Sequence, residues 1–200
     1  MKTQIITLFT ALVLSTGIAK AANVTGPVNN AAYTVLTDIS AINKIEVYGN
    51  VELYISDGSA DQVKVYNKYY AESALVQSSK GVLRISSYKA EKLVVWVTAN
   101  DLSSISAYDN AEVKSFGNIS KIEFNVDLHN NSSAKLNLDA FSANVTVSDH
   151  AKADLSGTAE EFTLNHNMAS SVNNYNFKAA HYTENRTGLP VAKNDDLAGL

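Results

Sequence analysis

This chain predicts an all-β, single-domain scaffold of short stacked strands, a β-helix or related solenoid. Three observations carry that reading. Between Pro27 and Pro190, the only two prolines, Val, Ile, Thr and Tyr are plentiful and apolar residues alternate with polar ones. No long segment shows an apolar period of 3.6 residues, so helix is minor. From Ile105 to Phe177 a weak echo recurs, with units too short to bury their own faces, so they must stack on one another. A β-sandwich of evenly spaced antiparallel hairpins is the competing architecture, because regular turn spacing suits both.

Met1 to Ala22 reads as a secretory signal peptide. Lys2 gives the positive start, Ile5 to Ile18 an uncharged apolar stretch, and Ala19-Lys20-Ala21 the small-x-small cleavage pattern. The apolar stretch is shorter than the ~20 residues of a spanning helix, and Thr7, Thr10, Ser15 and Thr16 interrupt it. The chain after cleavage therefore carries no membrane span, and the expected location is periplasm, cell surface or extracellular space. There is no cysteine, which removes disulfides, thiolate metal sites and cysteine nucleophiles together. The signal holds two lysines and no acid, leaving 14 basic and 20 acidic residues, and only Arg84 and Arg186 are arginine. A nucleic-acid partner would call for a basic, arginine-bearing footprint, so none is expected.

The folded part spans 23–182 in this reading. From Ile45 the odd positions carry Ile45, Val47, Gly49, Val51, Leu53 and Ile55, and the even ones Glu46, Tyr48, Asn50, Glu52 and Tyr54. That period of two turns one row to the core and the other to solvent. Ser56 to Gln62 is a turn cluster, and Val63-Lys64-Val65 resumes the alternation, which predicts a hairpin. Leu83 and Ile85 mark a further strand. Leu93 to Thr98, apolar on both faces, predicts a central, fully buried one. Apolar strand starts then recur at Ile105, Phe124, Val145 and Leu164, spaced 19, 21 and 19 apart. The corners that follow are Asp109-Asn110, Asn130-Asn131, Asp149-His150 and Asn167-Met168, each leading to a small residue and another apolar one (Ala111/Val113, Ala134/Leu136, Ala151/Ala153, Ser170/Val172). Residues 183–200, polar with few large apolar groups, read as a loosely held tail.

Lys44 to Leu53, Asp57-Gly58, Val63-Lys64-Val65, Leu83-Arg84-Ile85 and Leu93 to Thr98, with the rungs from Leu102 onward, resemble the "putative auto-transporter adhesin, head GIN domain" family of exported Bacteroidetes-type proteins. The resemblance covers most of residues 33 to 178. It implies a right-handed parallel β-helix-like fold, no recognised catalytic residues, and adhesion as the role. The family's corners are rich in Gly-Ser-Gly-like triplets, whereas these carry Asp, Asn, His and Ala. Asn and Asp tolerate a left-handed backbone better than other non-glycine residues, so the corner geometry survives.

The outward tyrosines are the candidate ligand-binding residues. If Ile55 lies opposite Val63, then Tyr54 faces Lys64, Glu52 faces Tyr66 and Tyr48 faces Tyr70. Tyr48, Tyr54, Tyr66 and Tyr70 then form one strip of rings rimmed by Glu46, Glu52 and Lys64. Exposed tyrosine is large, rigid and able to hydrogen-bond, which suits a glycan or an envelope or surface protein as partner. Cross-strand tyrosine preference alone would also place such rings together. His129, His150 and His166 fall in no common register, and His181 lies beyond the echo, so solvated histidines are expected rather than a metal site. Asp109, Asp127, Asp139, Asp149 and Asp154 could in principle work as acid and base on a glycan, but carboxylates at turns ordinarily bond local backbone. No catalytic or phosphate-binding motif is present, and no metal or cofactor is expected. Asn-x-Ser/Thr matches such as Asn23, Asn118, Asn131, Asn144 and Asn185 are what an Asn- and Ser-rich chain gives by chance. The whole reads as an exported, non-enzymatic, adhesin-like binding protein whose open ends and edges offer a route to self-association. A polysaccharide-active enzyme on the same scaffold, or a purely structural periplasmic protein, is the alternative.

Overall fold

The structure, a computed structural model, describes residues 33–36, 39, 41–66 and 75–188. The expected signal peptide, both prolines, Tyr70 and residues 189–200 lie outside the described residues. Among those described there are thirteen strands and no helix, hence none long and apolar enough to cross a membrane.

The strands are β1 (Thr34–Leu36), β2 (Lys44–Gly49), β3 (Val51–Asp57), β4 (Gln62–Tyr66), β5 (Leu75–Ser79), β6 (Val82–Ser87), β7 (Leu93–Ala99), β8 (Ser104–Ala107), β9 (Glu112–Ser115), β10 (Ile119–Leu128), β11 (Ser133–Val147), β12 (Lys152–Asn167) and β13 (Ser171–Thr187). All belong to one sheet of order β1-β4-β7-β3-β9-β11-β10-β8-β2-β6-β5, with β12 on β11 and β13 on β12. The sheet curls because β11 serves two sides: Ser133–Lys135 pair with β9, while Leu138–Val147 pair with β10. Most pairs are parallel and in register, and β1, β4 and β5 join antiparallel at one end. The result is a curled open sheet of mixed order. It is neither two antiparallel sheets face to face nor a uniform parallel β-helix.

One continuous core lines the inside of the curl. Its columns run from strand to strand: Ile105–Val126–Val145–Leu164 is one, and Phe124–Ala143–Phe162 is another. Each fully buried large side chain contributes roughly 1.5–3 kcal/mol, and no disulfide is needed to hold them.

The corner residues behave as their chemistry predicts. Gly49, Asp109, Asn130 and Asp149 all take left-handed backbone, with φ of 80°, 58°, 58° and 57°. The turns of Asp109, Asn130 and Asp149 close with N–H···O bonds of 3.1 Å from Ala111 to Tyr108, Ser132 to His129 and Ala151 to Ser148. They also bond along the stack, since Asn130 Oδ1 accepts from the Asp109 N–H at 3.2 Å and Asp149 Oδ2 from the Asn130 N–H at 2.9 Å. Gly49 alone among them must be glycine, because a Cβ there would lie 2.1 Å from the Ser87 carbonyl oxygen. The Asn167-Met168 corner uses another device, the Asn167 side chain accepting from the N–H groups of Ala169 and Ser170.

Four expectations need correction. The alternation from Ile45 to Ile55 is two strands, broken at Gly49-Asn50 with its phase kept. Ser56 to Gln62 does not close a hairpin, because β7 lies between β3 and β4. The connection arches over the end of β7, with Gly58 packed on Thr98 and the Asp61 carboxylate bonded to the N–H groups of Ile42 and Asn100. In the second rung the residue opposite Ile105 is Val126 rather than Phe124, and Ala134, not Leu136, stands opposite Val113. A shift of two residues keeps every side chain on its face, so alternation cannot detect it. Finally, β13 stays paired to β12 as far as Thr187, past the expected boundary at 182.

Candidate binding face

The outer side of β9, β3, β7, β4 and β1 carries two parallel rows of side chains. One runs Lys114–Tyr54–Trp96–Lys64–Val35, the other Glu112–Glu52–Val94–Tyr66. The pairings read from the sequence, Tyr54 with Lys64 and Glu52 with Tyr66, thus keep their register with one strand inserted between partners. β7 is central as expected but buried on one face only. Leu93, Val95, Val97 and Ala99 point into the core, whereas Val94, Trp96 and Thr98 are half-buried on the outside.

Trp96 is the hub of this face. Tyr54 stacks on it at 4.7 Å and 19° between planes, Phe116 meets it at 5.1 Å and 55°, and Tyr66 at 6.5 Å and 56°. Tyr33 extends the cluster beyond Tyr66 at 5.1 Å. Lys114 sits over the other face of Tyr54, and Lys64 over Tyr33, with ammonium groups 5.7 and 5.6 Å from the ring centres. Both faces of Tyr54 are therefore taken, while Phe116 is 62% exposed and Tyr33 40%. The Phe116 N–H donates to the Ile55 carbonyl at 2.7 Å, which fixes the backbone that presents the ring.

A charged rim accompanies the rings. Glu52 pairs with Lys114 and accepts from the Tyr54 hydroxyl at 2.8 Å, and Glu112 pairs with Lys92 and Lys114. The hydrogen bond from Lys114 holds the Glu52 carboxyl below the ordinary range against its burial, and that from Lys92 does the same for Glu112. The Lys114 ammonium is raised in turn, chiefly by Glu52, and the Glu52 hydrogen bond pushes the Tyr54 hydroxyl up. Glu52, Glu112 and Lys114 are therefore fixed charges around neutral pH, and the Tyr54 hydroxyl keeps its proton.

The four sequence-predicted tyrosines do not form one strip. Tyr54 and Tyr66 belong to this face. Tyr48 lies beyond the Gly49-Asn50 corner, stacked on Tyr108 at 4.7 Å and 4°, which stacks in turn on His129 at 4.9 Å and 5°. Tyr70 falls outside the described residues. Trp96, Phe116 and Tyr33 were missed, although a strand apolar on both faces, β7, was a readable signal for exposed aromatic surface. Elsewhere Asp149, Asp139 and Asp154 accept bonds from the Asn130 N–H, Thr158 and Asn173, and Asp109 from the Tyr88 hydroxyl. His129, His150 and His166 stand in three different columns. Among the described residues no three acidic or histidine side chains converge as a metal site would require.

Residues 41–189 match the family model described as "Putative auto-transporter adhesin, head GIN domain". The chain belongs to that family. Several solved structures have a similar fold, three of them as follows. A putative adhesin from Bacteroides fragilis NCTC 9343 is 15% identical with a TM-score of 0.69, over 78% of this chain and 77% of its own. One from Parabacteroides merdae ATCC 43184 is 14% identical with a TM-score of 0.62, over 80% and 79%. A protein described as a putative lipid binding protein, from Parabacteroides distasonis ATCC 8503, is 10% identical with a TM-score of 0.56, over 78% and 79%. No curated protein matches the chain. At these identities the likeness is one of fold, and relatives on this scaffold carry different functional descriptions, so the role must be argued from the face itself.

Proposed function

We propose that this head GIN domain is an exported, non-enzymatic binding protein of the cell envelope or surface, adhesin-like in role, that holds a glycan across its outer aromatic rows. The observation that carries the reading is Trp96 on the solvent side of β7, ringed by Tyr54, Tyr66 and Phe116. The core lies on the opposite side of that strand, so these rings are surplus to the inner packing. Contiguous exposed aromatic surface with a polar rim is the anatomy of a binding hot spot. The open rings of Phe116 and Tyr33 offer flat surfaces for the C–H faces of sugars, and Tyr66, Lys64 and Gln62 supply hydrogen-bonding groups between them. Export rests on the Met1–Ala22 pattern, and the family description and the adhesin names of its structural neighbours agree with the role.

The test incubates residues 22–200 with a panel of glycans and envelope extracts, scoring retention and released product in the same tubes. Retention without product is expected. Trp96→Ala or Phe116→Ala should weaken it by about tenfold or more, the scale of a hot-spot truncation, and Tyr48→Ala should leave it unchanged. Released product would overturn the binding role and send the search to Asp109, Asp127 and Asp149. Retention by a protein of the extract with no glycan retained would replace the ligand class.

A further inference from the structure

The two ends of the sheet are finished differently. At one end the outermost strands are β1 and β5, of 3 and 5 residues, laid antiparallel over their neighbours. At the other end stands β13, of 17 residues, paired among the described residues to β12 along one side only. A long strand edge with unpaired N–H and C=O groups is a template for another strand, and proteins ordinarily shorten it, bulge it or place proline and lysine on it. Here the register irregularity opposite Asp154/Ser156 protects only the beginning of β13. From Asn176 to Thr187 the strand holds no proline and one lysine, Lys178. The core columns ending at this edge are half-covered: Val172, Phe177 and Ala179 are partly buried, and Tyr182, stacked on Phe162 at 5.4 Å, is 47% exposed.

We infer that this edge binds the same edge of a second copy of the chain, giving a two-fold dimer joined end to end. The sequence of its final straight run selects the partner. With Tyr182–Thr187 set antiparallel to itself about Asn185, Glu184 of each copy lies opposite Arg186 of the other, Thr183 opposite Thr187, and Asn185 opposite itself. Opposite charges so placed favour the pairing, and the arrangement presents them twice. Glu184 already accepts from the Tyr182 hydroxyl at 2.9 Å and lies 2.7 Å from His166 Nε2. Its carboxylate retains acceptor capacity for a third partner. A two-fold pairing of this kind uses the same edge of both copies and so closes the assembly at two.

Because the chain has no cysteine, one introduced thiol reports the register cleanly. Asn185→Cys, on the two-fold axis, should oxidise to a covalent dimer, since directly opposed residues lie within the ~4.4–6.8 Å Cα separation of a disulfide. Asn165→Cys, one strand further in, should not. In sedimentation, the mature chain should show a concentration-dependent monomer–dimer equilibrium. Glu184→Arg and Arg186→Glu should each weaken it about tenfold, and the double exchange should restore it. A chain monomeric up to its solubility limit, or cross-linking as readily at residue 165 as at 185, overturns the inference. So does a dimer indifferent to both charge reversals.

Discussion

Asn130 shows how much one corner residue does. Its φ of 58° is a conformation that costs an ordinary L-residue roughly 1–2 kcal/mol. Its side chain accepts the Asp109 N–H, its own N–H donates to Asp149, and its carbonyl accepts from His150. Two substitutions separate these contributions. Asn130→Gly removes only the side-chain acceptor and should lower the unfolding free energy by about 1 kcal/mol, the worth of one such bond. Asn130→Ala adds the left-handed strain and should cost about 1–2 kcal/mol more. Urea unfolding at constant slope reads both values. Equal losses would mean that the left-handed backbone carries no penalty here, and the account of why Asp and Asn occupy these corners would fail.

At the scale of the element, what matters is which residues share a column. Phe124 and Phe162 are fully buried, and Ala143 lies between them on β11. The small residue is what lets two rings occupy successive rungs, so Ala143→Leu should overpack the column and cost about 1–3 kcal/mol. In thermal unfolding Asn137→Leu, at a solvent-facing position of the same strand, should cost far less. The column is also where reading the sequence stops. Alternation identifies the inward residues of β2, β3 and β4, and Asp and Asn mark three left-handed corners. Yet alternation sets Phe124 against Ile105 as readily as Val126, because a slip of two residues leaves the pattern intact and only the corner geometry fixes the register. The binding face was half legible for a related reason. Tyr54 and Tyr66 follow from parity, which insertion of β7 does not disturb. Tyr48 was misplaced because Gly49, inside an unbroken alternation, marks a corner. Trp96 is not legible from alternation, because apolar residues on both faces of a strand predict two buried faces, whereas one face of β7 carries the outer aromatic rows.

Over the whole molecule, chain order and spatial order differ, and that difference predicts how the protein opens. β2 and β3 come early in the chain but lie mid-sheet, flanked by β6 and β7 on one side and by β8 and β9 on the other. Losing either strand would break ladders on both of its sides and uncover Ile45, Val47, Leu53 and Ile55, all fully buried. β13 has one ladder to lose, and its own apolar residues Val172, Phe177 and Ala179 are only half-buried. In stacked architectures each unit is held mainly by its neighbours, so the unit with one neighbour opens first. Native-state hydrogen exchange of the dilute protein should therefore report a gradient. Amides of β13 should exchange through local opening, several kcal/mol below the global unfolding free energy, and those of β2 and β3 only through global unfolding. Raising the concentration should slow exchange in Tyr182–Thr187 and leave β2 and β3 unchanged, because edge pairing protects only the terminal strand. Uniform protection from β2 to β13 at low concentration would mean that the end rung is held as firmly as the middle, and end-first opening would be wrong.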